Sequence, residues 1–212
     1  MSNANDDDEK RFSAAAERNR EAILAQLEQL LPRVNEQKIQ VLELGSGTGQ
    51  HACFFAAQLP DVVWQPSDVA AIQSSLLARI QDEGSDNLNE PVVIDVFSSS
   101  WPITRSDVVY TSNTFHIVSM TGVECIFRGA ARVLAPDGML IVYGPFCFDG
   151  KHNSDGNAEF DRHLRHGNPE QGIRDINWLN EQANENGFAP AELTAMPANN
   201  FIAIWRISER TS

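Results

Sequence analysis

A strand that runs straight into three alternate glycines limits this chain more than any other feature. Ile39-Gln-Val-Leu-Glu-Leu44 is apolar enough for a strand buried on both faces, and Gly45-Ser-Gly47-Thr-Gly49 follows it. A helix is predicted next, over residues 50–59. Glycine permits a tight turn and lets a ligand approach backbone where a Cβ would clash. The helix behind such a turn offers unpaired N–H groups and the positive end of its dipole. Three ligand classes use this device. A phosphate-binding P-loop needs a lysine in G-x-x-x-x-G-K, and the lysines here are Lys10, Lys38 and Lys151, none of them in the turn. Nucleotide hydrolysis is thereby excluded. A dinucleotide fingerprint needs Gly or Ala at the sixth place of G-x-G-x-x-G, and counting from Gly45 that place is Gln50. This weakens an NAD-dependent reading without removing it.

The rest of the chain alternates strands and helices. Ile23, Leu24, Leu27, Leu30 and Leu31 form one helical stripe, with Ser13 as N-cap and Pro32 as stop. Strands are predicted over 62–65, 92–96, 107–111 and 139–143, and helices over about 72–83, closed by Gly84, and 121–134. Thr121-x-x-Glu124 has capping-box spacing. A last helix is expected over 175–186, followed by two strands, 192–195 and 201–207, with no helix between them. Right-handed βαβ crossovers then give a parallel sheet covered on both faces, with a closing hairpin that adds one antiparallel strand. Residues 144–172 are rich in Gly, Asn, Asp and His and read as a lid or binding loop, with one short helix near 160–164. The expected organisation is an acidic, disordered tail over residues 1–12 and a single domain over 13–212.

Charge and composition remove further classes. Sixteen Lys+Arg against 29 Asp+Glu give a net charge of −13, with no basic cluster, so a nucleic-acid backbone or an anionic membrane would be repelled. No apolar run reaches the roughly 18 residues of a membrane span, and the polar N-terminus is no signal peptide. Cys53, Cys125 and Cys147 are odd in number, far apart and without a C-x-x-C, which fits neither a disulfide framework nor a zinc site. Together these features predict a soluble protein of a reducing, cytoplasmic compartment.

Carboxylates stand where a nucleoside ligand would need them. Asp68 lies 19 residues after Gly49 at the end of the second strand, where it can accept from both ribose hydroxyls. The pattern Glu43-x-Gly45-x-Gly47-x-Gly49 resembles motif I of the class I S-adenosylmethionine-dependent methyltransferases. The likeness extends to Arg11-Phe-Ser13, Ala15-Ala-Glu17-Arg18-Asn19-Arg20, Gln50-His51, Trp64-Gln-Pro-Ser-Asp68 and Trp101-Pro102. It continues through Asn113 with His116-Ile117, Tyr143-Gly-Pro-Phe146, Gly172-Ile-Arg-Asp175 and Met196-Pro-Ala-Asn-Asn200. These segments are similar to one uncharacterised methyltransferase-like family, over nearly the whole chain after residue 10. The resemblance implies a Rossmann-like α/β fold with a seven-stranded, mostly parallel sheet in the order 3-2-1-4-5-7-6 and S-adenosylmethionine as cofactor. It also implies that Asp95 and the N–H of Val96 contact the adenine.

In an open parallel sheet the ligand lies beyond the C-terminal strand ends. That rule collects Gly45 to Gly49, Asp68, Asp95 and Asn113 to His116 on one edge. Taken with the resemblance, it implies cofactor binding by Glu43, Gly45, Ser46, Gly47, Gly49, Asp68, Asp95, Val96 and Asn113. Arg18 or Arg20 of the N-terminal helix is the candidate to fold over and meet the cofactor carboxylate. Arg174, Asn199 and Asn200 are assigned to the substrate. His116 is the candidate base because imidazole titrates near neutral pH, and Tyr143 is placed to orient an acceptor. Asn113-Thr-Phe-His116 departs from the Asn/Asp-Pro-Pro-aromatic signature of amino-group nucleic-acid and protein methyltransferases. His163 and His166 match no common zinc spacing, so no metal is expected. The expected function is methyl transfer to a small molecule. A non-catalytic binding or docking module and an NAD-dependent oxidoreductase stay open as alternatives.

Overall fold

The computed structural model describes residues 12–31 and 37–208. The tail expected over 1–12 lies outside them except for Phe12, as does Pro32, the expected stop of the first helix. Backbone contacts group the chain into two compact units, one ending at Asp95 and the other beginning at Val96.

The first unit runs α1 (Ala14–Leu30), β1 (Ile39–Leu44), α2 (Gln50–Gln58), β2 (Val62–Asp68), a 3-10 turn (Ala70–Ile72), α3 (Gln73–Glu83) and β3 (Val92–Val93). Ser13 caps α1 by accepting from the Ala16 N–H, as the sequence predicts, and Ile23, Leu24 and Leu27 bury its apolar stripe. β1 is buried at every position but Gln40, so the continuous apolar run belongs to a strand covered on both sides. β1 and β2 run parallel with Leu44 opposite Ser67, which brings the ends of both strands together. β2 continues to Asp68 instead of ending at Gln65. The third strand is shorter than the 92–96 expected and covers only Val92–Val93. Gly84 closes α3 with extended backbone rather than a left-handed cap. Clearance explains the glycine, because a Cβ there would run into the Ile80 carbonyl.

The second unit runs β4 (Ser106–Ser112), α4 (Met120–Val133), β5 (Leu134–Gly144), β6 (Phe146–Phe148), β7 (Lys151–His152), α5 (Asp155–Gly167), β8 (Arg174–Asp175) and α6 (Ile176–Glu185). It ends with β9 (Glu192–Met196), a 3-10 turn (Pro197–Asn199) and β10 (Asn200–Arg206). α4 opens one residue before the expected Thr121, because Ser119 accepts from the Gly122 N–H and takes the cap. β5 begins at Leu134, and the Pro136-Asp137-Gly138 turn is absorbed as an irregularity in its pairing with β4. The indole of Trp101 lies against Gly129 of α4, where a Cβ would overlap it.

Residues 144–172 are more ordered than a loop. β6 pairs with β7 and β8 in a second, three-stranded sheet, and α5 spans 13 residues. Ser154 caps α5 through the Asn157 N–H, and Asp161 and Leu164 form its buried face. A polar composition concealed this helix, since only one of those two buried positions is apolar.

The main sheet has seven strands in the order β3-β2-β1-β4-β5-β10-β9, which is 3-2-1-4-5-7-6 when its own strands alone are counted. β10 is antiparallel to both β5 and β9, the hairpin that the missing helix predicts. No helix among the described residues is long and apolar enough to cross a membrane.

Candidate functional site

In the first unit the glycine turn is held by the residues that flank it. Gly45, Gly47 and Gly49 all have positive φ, at 69°, 54° and 74°. At Gly49 a Cβ would also meet Leu76 Cδ1 at 2.8 Å, so packing excludes a side chain there. Gly47 differs: a Cβ would find only the Gly45 carbonyl, at 4.0 Å. The side of the turn at Gly47 is therefore open. Its N–H donates to Asp68 Oδ2 at 2.7 Å, while Asp68 Oδ1 accepts from the Val69 N–H at 2.7 Å. Asp68 thus stands at the turn, where the sequence places it. Asp95 is exposed and Val96 half-buried.

Beneath the turn lies a buried polar knot. Glu43 Oε2 accepts from Ser46 Oγ at 2.9 Å and from the Trp64 indole N–H at 3.0 Å. Ser67 Oγ donates to the Glu43 carbonyl at 2.6 Å, and the Ser67 N–H donates to Ser46 Oγ at 3.1 Å. Burial raises the Glu43 carboxyl to about 7, with the two side-chain hydrogen bonds opposing the shift and nearby Asp68 adding to it. Glu43 Oε2 is thus occupied by Ser46 and Trp64, and its carbonyl by Ser67.

A latch also joins α1 to the turn, and the sequence reading did not identify it. Gln50 Oε1 accepts from the Ser13 N–H at 2.6 Å and from Thr48 Oγ1 at 3.1 Å. His51 Nε2 pairs with Asn19 Oδ1 at 2.7 Å and stacks on Phe55. Burial lowers His51 to about 4. The visible signal was the Gln50-His51 pair itself, two buried polar residues opening a helix that also carries Phe55. Arg18 is exposed. Its neighbour Arg20 pairs with Glu17 at 2.7 Å and lies over the Phe54 ring.

In the second unit a further group gathers at the ends of β4 and β5. Ser112 is opposite Tyr143, and the Asn113 N–H donates to the Tyr143 carbonyl at 2.8 Å. Asn113 has φ 58°, a left-handed conformation that asparagine tolerates better than most residues. A Cβ on Gly144 would face His116 Nδ1 at 3.9 Å and Asn113 Oδ1 at 4.0 Å, so both side chains point toward that glycine. His116 is buried, and its ring meets Phe160 of α5 edge-on at 5.1 Å. Burial, with a smaller contribution from Arg174, lowers its imidazole to about 4. At neutral pH it is uncharged. Tyr143 is buried as well.

Arg174 is buried too, and its guanidinium donates to the backbone carbonyls of Phe115, Val118 and Glu170. Asn199 is exposed, and its carbonyl accepts from Asn153 and Asn157 at 3.1 and 3.0 Å. Asn200 donates weakly to Pro197 and Ala198 within its own turn. Cys147 has its thiol pushed up to about 11 by burial and by Asp175, which leaves it protonated. No group of three or more His, Cys, Asp or Glu among the described residues is arranged to hold a metal ion.

Known structures share this fold. The apo S-adenosylmethionine-dependent methyltransferase SibL superposes with a TM-score of 0.76 at 19% identity, covering 92% of this chain and 56% of its own. Human N-acetylserotonin methyltransferase in complex with SAM gives 0.75 at 13% identity, covering 92% and 53%. PigF with SAH gives 0.72 at 15%, covering 87% and 54%. This chain therefore spans a little over half the length of those proteins. Residues 10–207 match the family described as "Protein of unknown function (DUF938)". With nearly its whole length matched, the chain belongs to the DUF938 family.

Proposed function

We propose that this protein is an S-adenosylmethionine-dependent methyltransferase acting on a small-molecule acceptor. The observation that carries the reading is the open face of Gly47, with its N–H already on the Asp68 carboxylate. A ligand with vicinal hydroxyls suits that carboxylate, and the turn's backbone leaves room for it. Gly45, Ser46, Gly47, Gly49 and Asp68 are assigned to the cofactor, with Asp95 and Val96 toward the adenine and Arg18 toward its carboxylate. Glu43 supports the turn from below.

The cofactor supplies a sulfonium methyl group. When bound, it would offer that methyl for in-line transfer to the acceptor, with a neutral thioether as the leaving group. Positioning therefore carries much of the rate effect, up to about 7–11 kcal/mol in well-oriented cases. The acceptor's O–H or N–H proton must leave. An uncharged imidazole can take it, and we assign that role to His116, with Tyr143 orienting the acceptor and Asn113 kept on the cofactor side. The lowered affinity of His116 for protons keeps it in the accepting form at neutral pH. Asn199 and Asn200 are assigned to the rim on the substrate side. The net charge of −13 favours a small acceptor over a polyanion. Buried thiols at Cys53 and Cys147 accord with a cytoplasmic setting.

The test is transfer of label from methyl-tritiated S-adenosylmethionine to a library of low-mass hydroxyl and amine acceptors. Wild type labels at least one acceptor, and His116→Ala labels none while still binding cofactor. Tight cofactor binding with no acceptor labelled across the library would support a binding module instead.

A further inference from the structure

Arg174 begins β8 and is 4% exposed. Its Nε donates to the Phe115 carbonyl at 3.0 Å, and Nη2 donates to the carbonyls of Val118 and, at 2.7 Å, Glu170. The first two acceptors bracket His116 in the chain. The third belongs to the segment that follows α5. The same two stretches meet again where the Gly172 N–H donates to the His116 carbonyl at 2.9 Å. Asp161 of α5 anchors that segment from its other side. It accepts from the Ile173 N–H at 2.6 Å and from Arg165 Nε at 2.8 Å. Gly172, at φ 142°, passes so close that a Cβ would press on Asp161 Oδ1 at 2.7 Å and on the Arg165 guanidinium at 2.6 Å.

We propose that Arg174 is a positioning residue: its guanidinium fixes the 115–118 turn against the segment after α5 and so holds the His116 imidazole in place, in preference to anchoring an anionic acceptor. The proposal rests on the assignment of His116 as proton acceptor. A planar fork can bridge three carbonyls set around it, whereas an ammonium is a point charge with no such geometry. The charged groups near Arg174 are Arg165, Asp161 and Glu170. Arg174 is in turn the charge that acts on His116, and it opposes protonation of that ring.

The experiment is an NMR titration of protein carrying 13Cε1-labelled histidine, in wild type, Arg174→Gln and Arg174→Lys, with His116→Gln to assign the signal. Calorimetry with S-adenosylmethionine runs alongside. In wild type the His116 ring stays neutral down to about pH 4 and shows ring contacts to Phe160. In Arg174→Gln its midpoint rises, by less than burial alone displaces it, and those ring contacts weaken, while cofactor affinity is unchanged. Arg174→Lys keeps the charge but loses the bridge, so the ring contacts weaken with a smaller midpoint shift. Should the Gln variant fail to fold, the Lys variant decides.

Folded variants with wild-type midpoint and wild-type ring contacts overturn the proposal. So does saturable benzoate binding to wild type that Arg174→Gln abolishes while the His116 signal stays put, because that is the behaviour of an anion anchor. Absence of cofactor binding to wild type would defeat the methyltransferase reading, yet the same titration would still report on Arg174.

Discussion

The Gly47 N–H donates to Asp68 Oδ2 across 2.7 Å, so a carboxylate at the end of β2 is bonded to the backbone of the turn after β1. Asp68 is held from both oxygens before any ligand arrives, since Oδ1 also takes the Val69 N–H. Removing it exposes two backbone donors and deletes the expected ribose acceptor. Hydrogen bonds to a charged group contribute about 1.5–3 kcal/mol each. Asp68→Ala should therefore weaken S-adenosylmethionine binding at least about tenfold by calorimetry. Asp68→Asn keeps one acceptor oxygen and should fall between it and wild type.

Gly47 and Gly49 share a left-handed backbone but differ in what surrounds them, and substitution should separate the two. Gly49→Ala pushes a methyl into Leu76 and Arg79 on top of the strained φ. Overpacking of this kind costs about 1–3 kcal/mol, and left-handed alanine adds about 1. Gly47→Ala bears only the backbone cost, because the space beside it is open. Urea midpoints should thus drop much more for Gly49→Ala. Cofactor affinity should suffer at both positions, including the better-folded Gly47→Ala.

Stability should depend on pH in two opposing ways. The unfolded chain releases the Glu43 proton near 4.5, while the folded chain keeps it up to about 7. The contribution of Glu43 is therefore full below that lower value and is lost as pH rises through 7. His51 and His116 have the opposite sign. Unfolded, each takes up a proton near 6.5, whereas in the fold each resists until about 4. Their contribution is full above 6.5 and disappears as the pH falls toward 4. Glu43→Gln should remove the first slope, so stability between about pH 5 and pH 7 should rise more steeply than in wild type, by on the order of 2 kcal/mol. Urea unfolding at both pH values measures it.

Much of this was legible from residues alone, for reasons that also explain what was not. The run from Ile39 to Gly49 gave strand, turn and helix start because each step needs its own residue type. The closing hairpin followed from a missing helix. Asp68 was legible because a strand end has few places to put a carboxylate. α5 was hidden because Asp161, a charged residue, fills one of its two buried positions. The partners of Arg174 could not be read at all, since they are carbonyls, and a backbone acceptor leaves no mark on the sequence. The Gln50 bond to Ser13 spans 37 positions and links two helices whose contact no local pattern encodes.

That bond makes a prediction of its own. Gln50→Ala leaves the Ser13 N–H and Thr48 Oγ1 without their shared acceptor. The cost is about 1–3 kcal/mol where the donors are shielded from water. Hydrogen exchange should accelerate over the first turns of α1 and over residues 45–49. It should stay at wild-type rates in β4 and β5.

In the reading proposed above, the turn at Gly45–Gly49 and the Asp68 carboxylate hold an adenosyl ligand. Isothermal calorimetry with S-adenosylmethionine, S-adenosylhomocysteine and NAD on the full chain, with Asp68→Ala in parallel, tests it most directly. One saturable site is expected for the two adenosyl-sulfur ligands, weakened at least about tenfold by Asp68→Ala, with no heat from NAD. Binding of NAD alone, or adenosyl binding that Asp68→Ala leaves untouched, would contradict it.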